Sequence, residues 1–371
     1  MNASGALTVG YSSFSGVGSS RFDGNAWQYT AAPGGVGIFG VWATSLSDAW
    51  TVGDYGTLMH YDGQSWSAPP ISTTLDSYSL QNVWGSAPND VWAVGSSGII
   101  RRFNGETWAP YVSNTTNGFQ NVWGFATQVF AVGNNGTFMR YDSTNTAAGW
   151  QSVTWAAVPP TNTLYGVWGS SQNAVWATGA NGIFVSYNGT MASVIQNSNT
   201  LTSTTMFSIH GVTSSNIFAT GGYSMCPPGG MINCNMFRYN GVSWGSQLVN
   251  GAAGMNTLRG IWGYSTPNTR YWAVGSGGTI AFFDGSTWNT HAQSGVLTNQ
   301  TLFDIWGTSA SNIFAVGYSS SFTPLILRYE GVNWASMEPG TRSYNLNGVW
   351  SGASNDAWAV GNSGVVLRYM P

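Results

Sequence analysis

The chain reads as an all-β propeller of eight four-stranded blades, and three observations predict it. One phrase returns eight times along the 371 residues: an aromatic dipeptide, a polar turn, an apolar run ending in Val-Gly or Thr-Gly, a small-residue turn, a strand closing on Tyr or Phe, Asp/Asn-Gly, and a Trp. Its first aromatic anchor stands at Trp42, Trp84, Trp123, Trp168, His210, Trp262, Trp306 and Trp350, at separations of 39 to 52 residues. That period is the spacing of propeller blades. The chain ends are also complementary, with a spare outer strand near the start and a repeat that stops one strand short at the end.

Each repeat supplies four short strands, a to d. In the second copy, VWGSAPNDVWAVGSSGIIRRFNGETW from Val83 to Trp108, the runs are four to seven residues long, rich in aromatic and β-branched residues, and bounded by Gly, Asn, Ser and Pro. Such runs are strands. No window of a dozen residues keeps a helical period without a Gly or Asn cluster cutting it. The pairs SG, NG and DG fall where tight hairpins need positive φ. A four-stranded sheet cannot bury both faces alone, so neighbouring sheets must stack around an axis.

The whole chain, 1–371, is read as one propeller domain with repeats starting near 39, 81, 120, 165, 207, 259, 303 and 347. Ring closure follows from the ends. A c-like Phe22-Asp23-Gly24 is followed by the d-like NAWQYT, while the C-terminus stops after strand c at VVLRYMP. Pairing Ala26 to Thr30 beside Val365 to Tyr369 completes an eighth blade and removes two exposed edges. A nine-bladed ring is the alternative, because LTVGYSSFSGVGSSRFDGNAW also resembles strands b, c and d of the seventh copy.

Composition narrows the function classes. Charged residues are 6% of the chain and there is no Lys among them, while Trp numbers 20 and Gly 50. High aromatic content and low charge exclude disorder. A net charge of −3 with scattered Arg excludes nucleic-acid binding by phosphate neutralisation. No apolar run is long enough to span a bilayer. The first ten residues lack the basic and apolar regions of a signal peptide.

The turns YDGQSW (Tyr61 to Trp66), FNGETW (Phe103 to Trp108) and FDGSTW (Phe283 to Trp288) are similar to the Asp-box turn of sialidase-type propellers. The fuller VWGSxxxDVWAVGxxGxxxxYDGxxW resembles repeats of secreted or surface proteins of myxobacteria, and the Ycf48-like photosystem assembly propellers. These resemblances imply the fold and a surface or extracellular setting, and they imply little about activity, because the motif encodes blade turns. The arginine triad of the sialidases has no counterpart in the pattern.

Catalytic signals are sparse. The three His lie in separate repeats, no metal or nucleophile motif occurs, and neither cofactor nor metal is expected. An enzyme is not expected; an Asp-box-type glycoside hydrolase is the enzymatic alternative. Arg21, Arg102, Arg140, Arg238, Arg328 and Arg368 share one repeat position before the c-strand aromatic, which assigns them a structural role. His210 stands where Trp is expected, as a packed residue. Cys226 and Cys234 flank PPGGMIN in the longest insertion and read as a disulfide, free thiols being the alternative.

Asymmetry is the functional signal. Most b–c connections are minimal, but three are expanded and carry Tyr11, Tyr223 and Tyr318. The d–a segments bring Arg259, Asp304 and Tyr344 to the same rim, with Tyr165, Phe207 and Phe303 among its aromatics. Rings beside amides and hydroxyls suit sugars. The expectation is an extracellular, non-enzymatic binding or adhesion propeller for a glycan or a surface protein, through Tyr11, Tyr223, Tyr318, Arg259, Asp304 and Tyr344. A structural module of a larger surface assembly is the alternative. Oligomeric state is not legible in the sequence.

Overall fold

The computed structural model describes residues 26–370 except 32–35, 46, 70–77, 197–202, 224–234, 252–255, 266–267, 319–323, 338–343 and 354–355. Tyr11, Arg21, Cys226 and Cys234 lie outside the described residues, and with them the expected disulfide. Each repeat folds into one antiparallel sheet whose strands follow chain order outward from the axis. The inner a strands of blades 1 to 8 are Ile38–Ser45, Leu80–Ala87, Phe119–Gly124, Leu164–Ser171, Met206–Thr213, Leu258–Tyr264, Thr301–Ser309 and Leu346–Ala353. Each touches the next, and the eighth touches the first.

The ring closes as an eight-bladed propeller. Ala26–Ala31 pairs antiparallel with Val365–Met370, from Ala26 against Met370 to Ala31 against Val365. The eighth sheet thereby gains its fourth strand, and the nine-bladed alternative is set aside. Blade 6 also carries a short fifth strand, Val249–Asn250, parallel to Trp288–Thr290.

The repeat letters map onto contacts. The Gly ending each b strand packs on the entry to strand a: a Cβ on Gly53, Gly95 or Gly361 would lie 2.1, 2.2 or 1.8 Å from the carbonyl oxygens of Gly37, Ser79 and Asn345. In the minimal b–c turns, positive φ falls on two successive residues, such as Ser97 (φ 56) and Gly98 (φ 75), which favours Gly and Asn. In the c–d turns the side chain of Asp62, Asn104, Asn188, Asn240 or Asp284 accepts two backbone N–H bonds. The Thr287 N–H and then the Ser286 hydroxyl and N–H hold the Asp284 carboxyl far below its usual range.

The core is divided among the blade interfaces, one buried cluster to each of the eight. A b-strand aromatic of one blade meets the d-strand Trp of the next edge-on: Trp50–Trp108 at 5.3 Å, Trp92–Trp150 at 5.4 Å, Trp272–Trp334 at 5.4 Å and Trp358–Trp66 at 5.5 Å. Edge-to-face pairs add about 0.5–1.5 kcal/mol each beyond their area burial. The final Trp of the repeat is thus a lock between blades.

Candidate functional site: the channel and its aromatic mouth

Five of the repeated arginines are described, and all belong to the outer wall. Arg140 donates to the Tyr187 hydroxyl at 2.9 Å, Arg328 to Tyr369 at 2.6 Å and Arg368 to Tyr61 at 3.0 Å, each in the following blade. Arg102 pairs with Asp90 at 2.8 Å. Arg238 bonds Asn216 at 3.1 Å and lies over Phe218 and Phe283. Their guanidinium groups stitch neighbours together rather than forming a ring of open anion sites.

The inner wall differs. The a strands enclose a cavity of about 310 Å³ lined from every blade. Trp42, Trp84, Trp123, Trp168, Trp306 and Trp350 line it. The glycine after most of these tryptophans explains the Val-Trp-Gly motif. A Cβ on Gly85 would lie 2.6 Å from the Trp42 ring, on Gly124 2.6 Å from Trp84, and on Gly211 2.5 Å from Trp168. These three indoles therefore reach across onto the bare backbone of the next blade. In blade 8 Ser351 takes the glycine's place, and its carbonyl accepts Trp306 Nε1–H at 2.9 Å. The innermost place of strand a makes these repeat anchors channel walls.

Two residues before each tryptophan, the slots differ: Gly40, Asn82, Asn121, Gly166, Ser208, Gly260, Asp304 and Gly348. Asn82 donates to Asn121 at 2.8 Å, and Asn121 to the Tyr165 carbonyl at 3.1 Å, linking blades 2, 3 and 4. Asp304 accepts the Val349 N–H at 3.0 Å and the Ile305 N–H at 2.9 Å. It was expected on the rim, and it lies in the channel wall instead. Burial pushes its carboxyl up to about 6, although those two bonds pull the other way. His210 occupies the tryptophan slot of blade 5, with ring centroids 6.0 Å from Trp168 and 6.3 Å from Trp306. Burial alone lowers its imidazole to about 4, and its Nδ1 has no hydrogen-bond partner. Both side chains keep some accessible surface, and both line the channel.

One residue nearer the chain entry, every a strand bulges: pairing with strand b skips a residue. A bulge re-aims its extra side chain. The skipped residues are Phe39, Gln81, Gln120, Tyr165, Phe207, Arg259, Phe303 and Asn347, and they ring the mouth where the d–a connections enter. Their chemistry is lopsided. Arg259 lies between Phe207 and Phe303, 5.1 Å from each ring centroid. Tyr318 stacks on Phe303 at 5.1 Å with 21° between planes, and Tyr165 flanks Phe207 at 6.4 Å. Among the described residues Arg259 makes no ion pair, and its buried Nε has no hydrogen-bond partner. Blades 2, 3 and 8 place amides at the same position.

The other expected rim residues separate. Tyr223 is 40% exposed, beside Thr257 at the blade 6 entry. Tyr344 departs from the expectation: it is 6% exposed and packs in the cluster between blades 7 and 8, so it stabilises an interface. A more open groove, about 700 Å³, runs between the b–c turn of blade 2 and residues 110–117; Tyr111 is the only aromatic lining it.

The geometry defines the class of protein, an eight-bladed β-propeller, and solved structures share the architecture at low identity. YCF48 bound to D1 peptide aligns at 16% identity and TM-score 0.59, covering 96% of this chain and 100% of that one. A computationally designed protein, Ika8, gives 10% and 0.69, with 92% and 99% covered. Virginiamycin B lyase from Staphylococcus aureus, in a catalytically inactive histidine-to-alanine form with quinupristin, gives 11% and 0.58, with 94% and 99% covered. No family model matches the chain, and no curated protein does. At these identities the likeness is one of fold.

Proposed function

We propose that this chain is a non-enzymatic recognition propeller of the cell exterior that binds an acidic glycan at the aromatic side of its channel mouth. One observation carries the reading: Arg259, held between Phe207 and Phe303, has no anionic partner among the described residues. The five described outer-wall arginines each donate a hydrogen bond to a side chain, two of them to an acid. A guanidinium packed between two rings has little rotamer freedom left to lose on binding. Phe303 is engaged by both Arg259 and Tyr318, so a sugar's carboxylate on Arg259 suits the site better than a sugar ring stacked on Phe303. Gln81, Gln120 and Asn347 add amides on the opposite arc.

A peptide partner is the second reading, favoured by the similar propeller that was solved with a bound peptide. The hydrolase alternative finds less support, because among the described residues no hydrogen bond joins His210 to Asp304. A glycan array with uronic- and sialic-acid-bearing members, run beside neutral glycans and an acidic peptide array, tests the proposal. Acidic glycans should bind, and Arg259→Gln should lower their affinity about tenfold or more. Binding of neutral glycans alone, or turnover of fluorogenic glycosides, would overturn it, and binding confined to acidic peptides would transfer the site to the second reading.

A further inference from the structure

The mouth leaves unexplained why the channel behind it is walled by indoles around a single acid. We propose that the channel binds a quaternary ammonium group, with the cationic centre among the tryptophan rings beside Asp304. Indoles are the strongest cation–π partners among side chains, and aromatic cages are the recurring means of holding quaternary ammonium ions. Six tryptophans line this cavity, and Asp304 is the only acid among its lining residues. No Arg or His lies within ion-pair distance of that carboxylate among the described residues. Arg259, on the neighbouring a strand, is held between its two phenyl rings instead.

The charge is not needed for the local fold. Asn82 and Asn121, in the equivalent slots, accept the N–H of the following residue through a neutral amide, at 2.7 and 2.8 Å. Asp304 makes that same bond to Ile305 and adds one to Val349. Each of its two oxygens therefore already accepts one backbone donor. A primary ammonium brings three N–H donors, more than the one acceptor site left on each oxygen can satisfy, whereas a quaternary ammonium brings none and needs only charge and polarizable contact. His210 is neutral at neutral pH and does not oppose a cation. A cavity of about 310 Å³ is at the lower end of small-molecule sites, which suits a trimethylammonium group and excludes a large ligand.

Calorimetric titration of the full chain with choline and with its neutral carbon isostere, 3,3-dimethyl-1-butanol, tests the proposal. Choline should bind at least about tenfold more tightly than the isostere. Asp304→Asn should remove most of that difference while leaving the isostere's affinity unchanged. Should that variant fail to fold, Trp84→Leu, which leaves the acid in place, should weaken choline more than the isostere. Equal affinities for the two probes in the unaltered protein, or no binding of choline at millimolar concentrations, would overturn the proposal. A capped trimethyllysine binding more tightly than choline places the group on a protein partner, and the reverse order places it on a small ion.

Discussion

The outer and inner walls of this propeller are built from the same repeat but obey different rules. On the outside, position by position, the repeat recurs: arginines reach the next blade's tyrosine or a nearby acid or amide, and d-strand tryptophans lock edge-on into their neighbours. On the inside the backbone recurs, with a bulge in every a strand, but the side chains it presents do not. Every interface must close by the same angle, so the outer contacts are held alike. The axis has no such requirement, and there Arg259, Asp304 and His210 depart from the pattern. Departures at a position free of closure demands are where ligand chemistry belongs.

Breaking the ring itself should give the largest effect. Removing residues 1–31 deletes the strand paired with Val365–Met370 and bares an edge that can template association. The melting temperature should fall by roughly 10 °C or more, with increased aggregation by light scattering. An unchanged melting curve would mean that the eighth blade does not depend on its borrowed strand.

A pair of alanine substitutions sharpens the contrast between walls. Gly85→Ala places a methyl 2.6 Å from the Trp42 ring, whereas Gly245, in the d strand of blade 5, has nothing within 4 Å of its Cβ position. The first should cost about 1–3 kcal/mol as the indole is displaced. The second should change stability by less than about 0.5 kcal/mol. Chemical denaturation of both variants measures the difference, and equal costs would show that the indoles do not rest on the next blade's glycine.

Much of this was legible in the sequence because it rests on local chemistry. Blade number, the a-to-d strand order and the borrowed strand follow from period, turn glycines and the spare NAWQYT. The mouth was legible only in part. Phe303 and Asp304 are adjacent, and a bulge sends one to the rim and the other to the channel; no propensity announces that bulge. Tyr344 belongs to a d–a segment but packs between blades. The Arg259 sandwich joins residues from three repeats, a contact that exists only once blades 5, 6 and 7 have stacked.

The effect that nearly cancels in the unaltered protein, and the most discriminating, concerns pH. Asp304 has its folded-state pKa raised to about 6, above its value in an unfolded chain. Between about pH 4 and 6 the folded state holds more of that proton, so its contribution falls as pH rises. His210 is lowered to about 4, below its unfolded value. Across about pH 4 to 6.5 the unfolded state binds more of that proton, so this contribution grows with pH. Each slope amounts to roughly 3 kcal/mol at most, and in the unaltered protein they oppose each other over nearly the same window. Stability should therefore be almost flat from pH 4 to 6.5 as far as the channel is concerned. Asp304→Asn should expose the histidine and make the protein more stable toward pH 6.5, whereas His210→Gln should expose the acid and make it less stable. Melting curves of the two variants against pH read the signs directly. Slopes of the same sign in both would mean that these groups do not titrate as a buried acid and a buried base facing one channel.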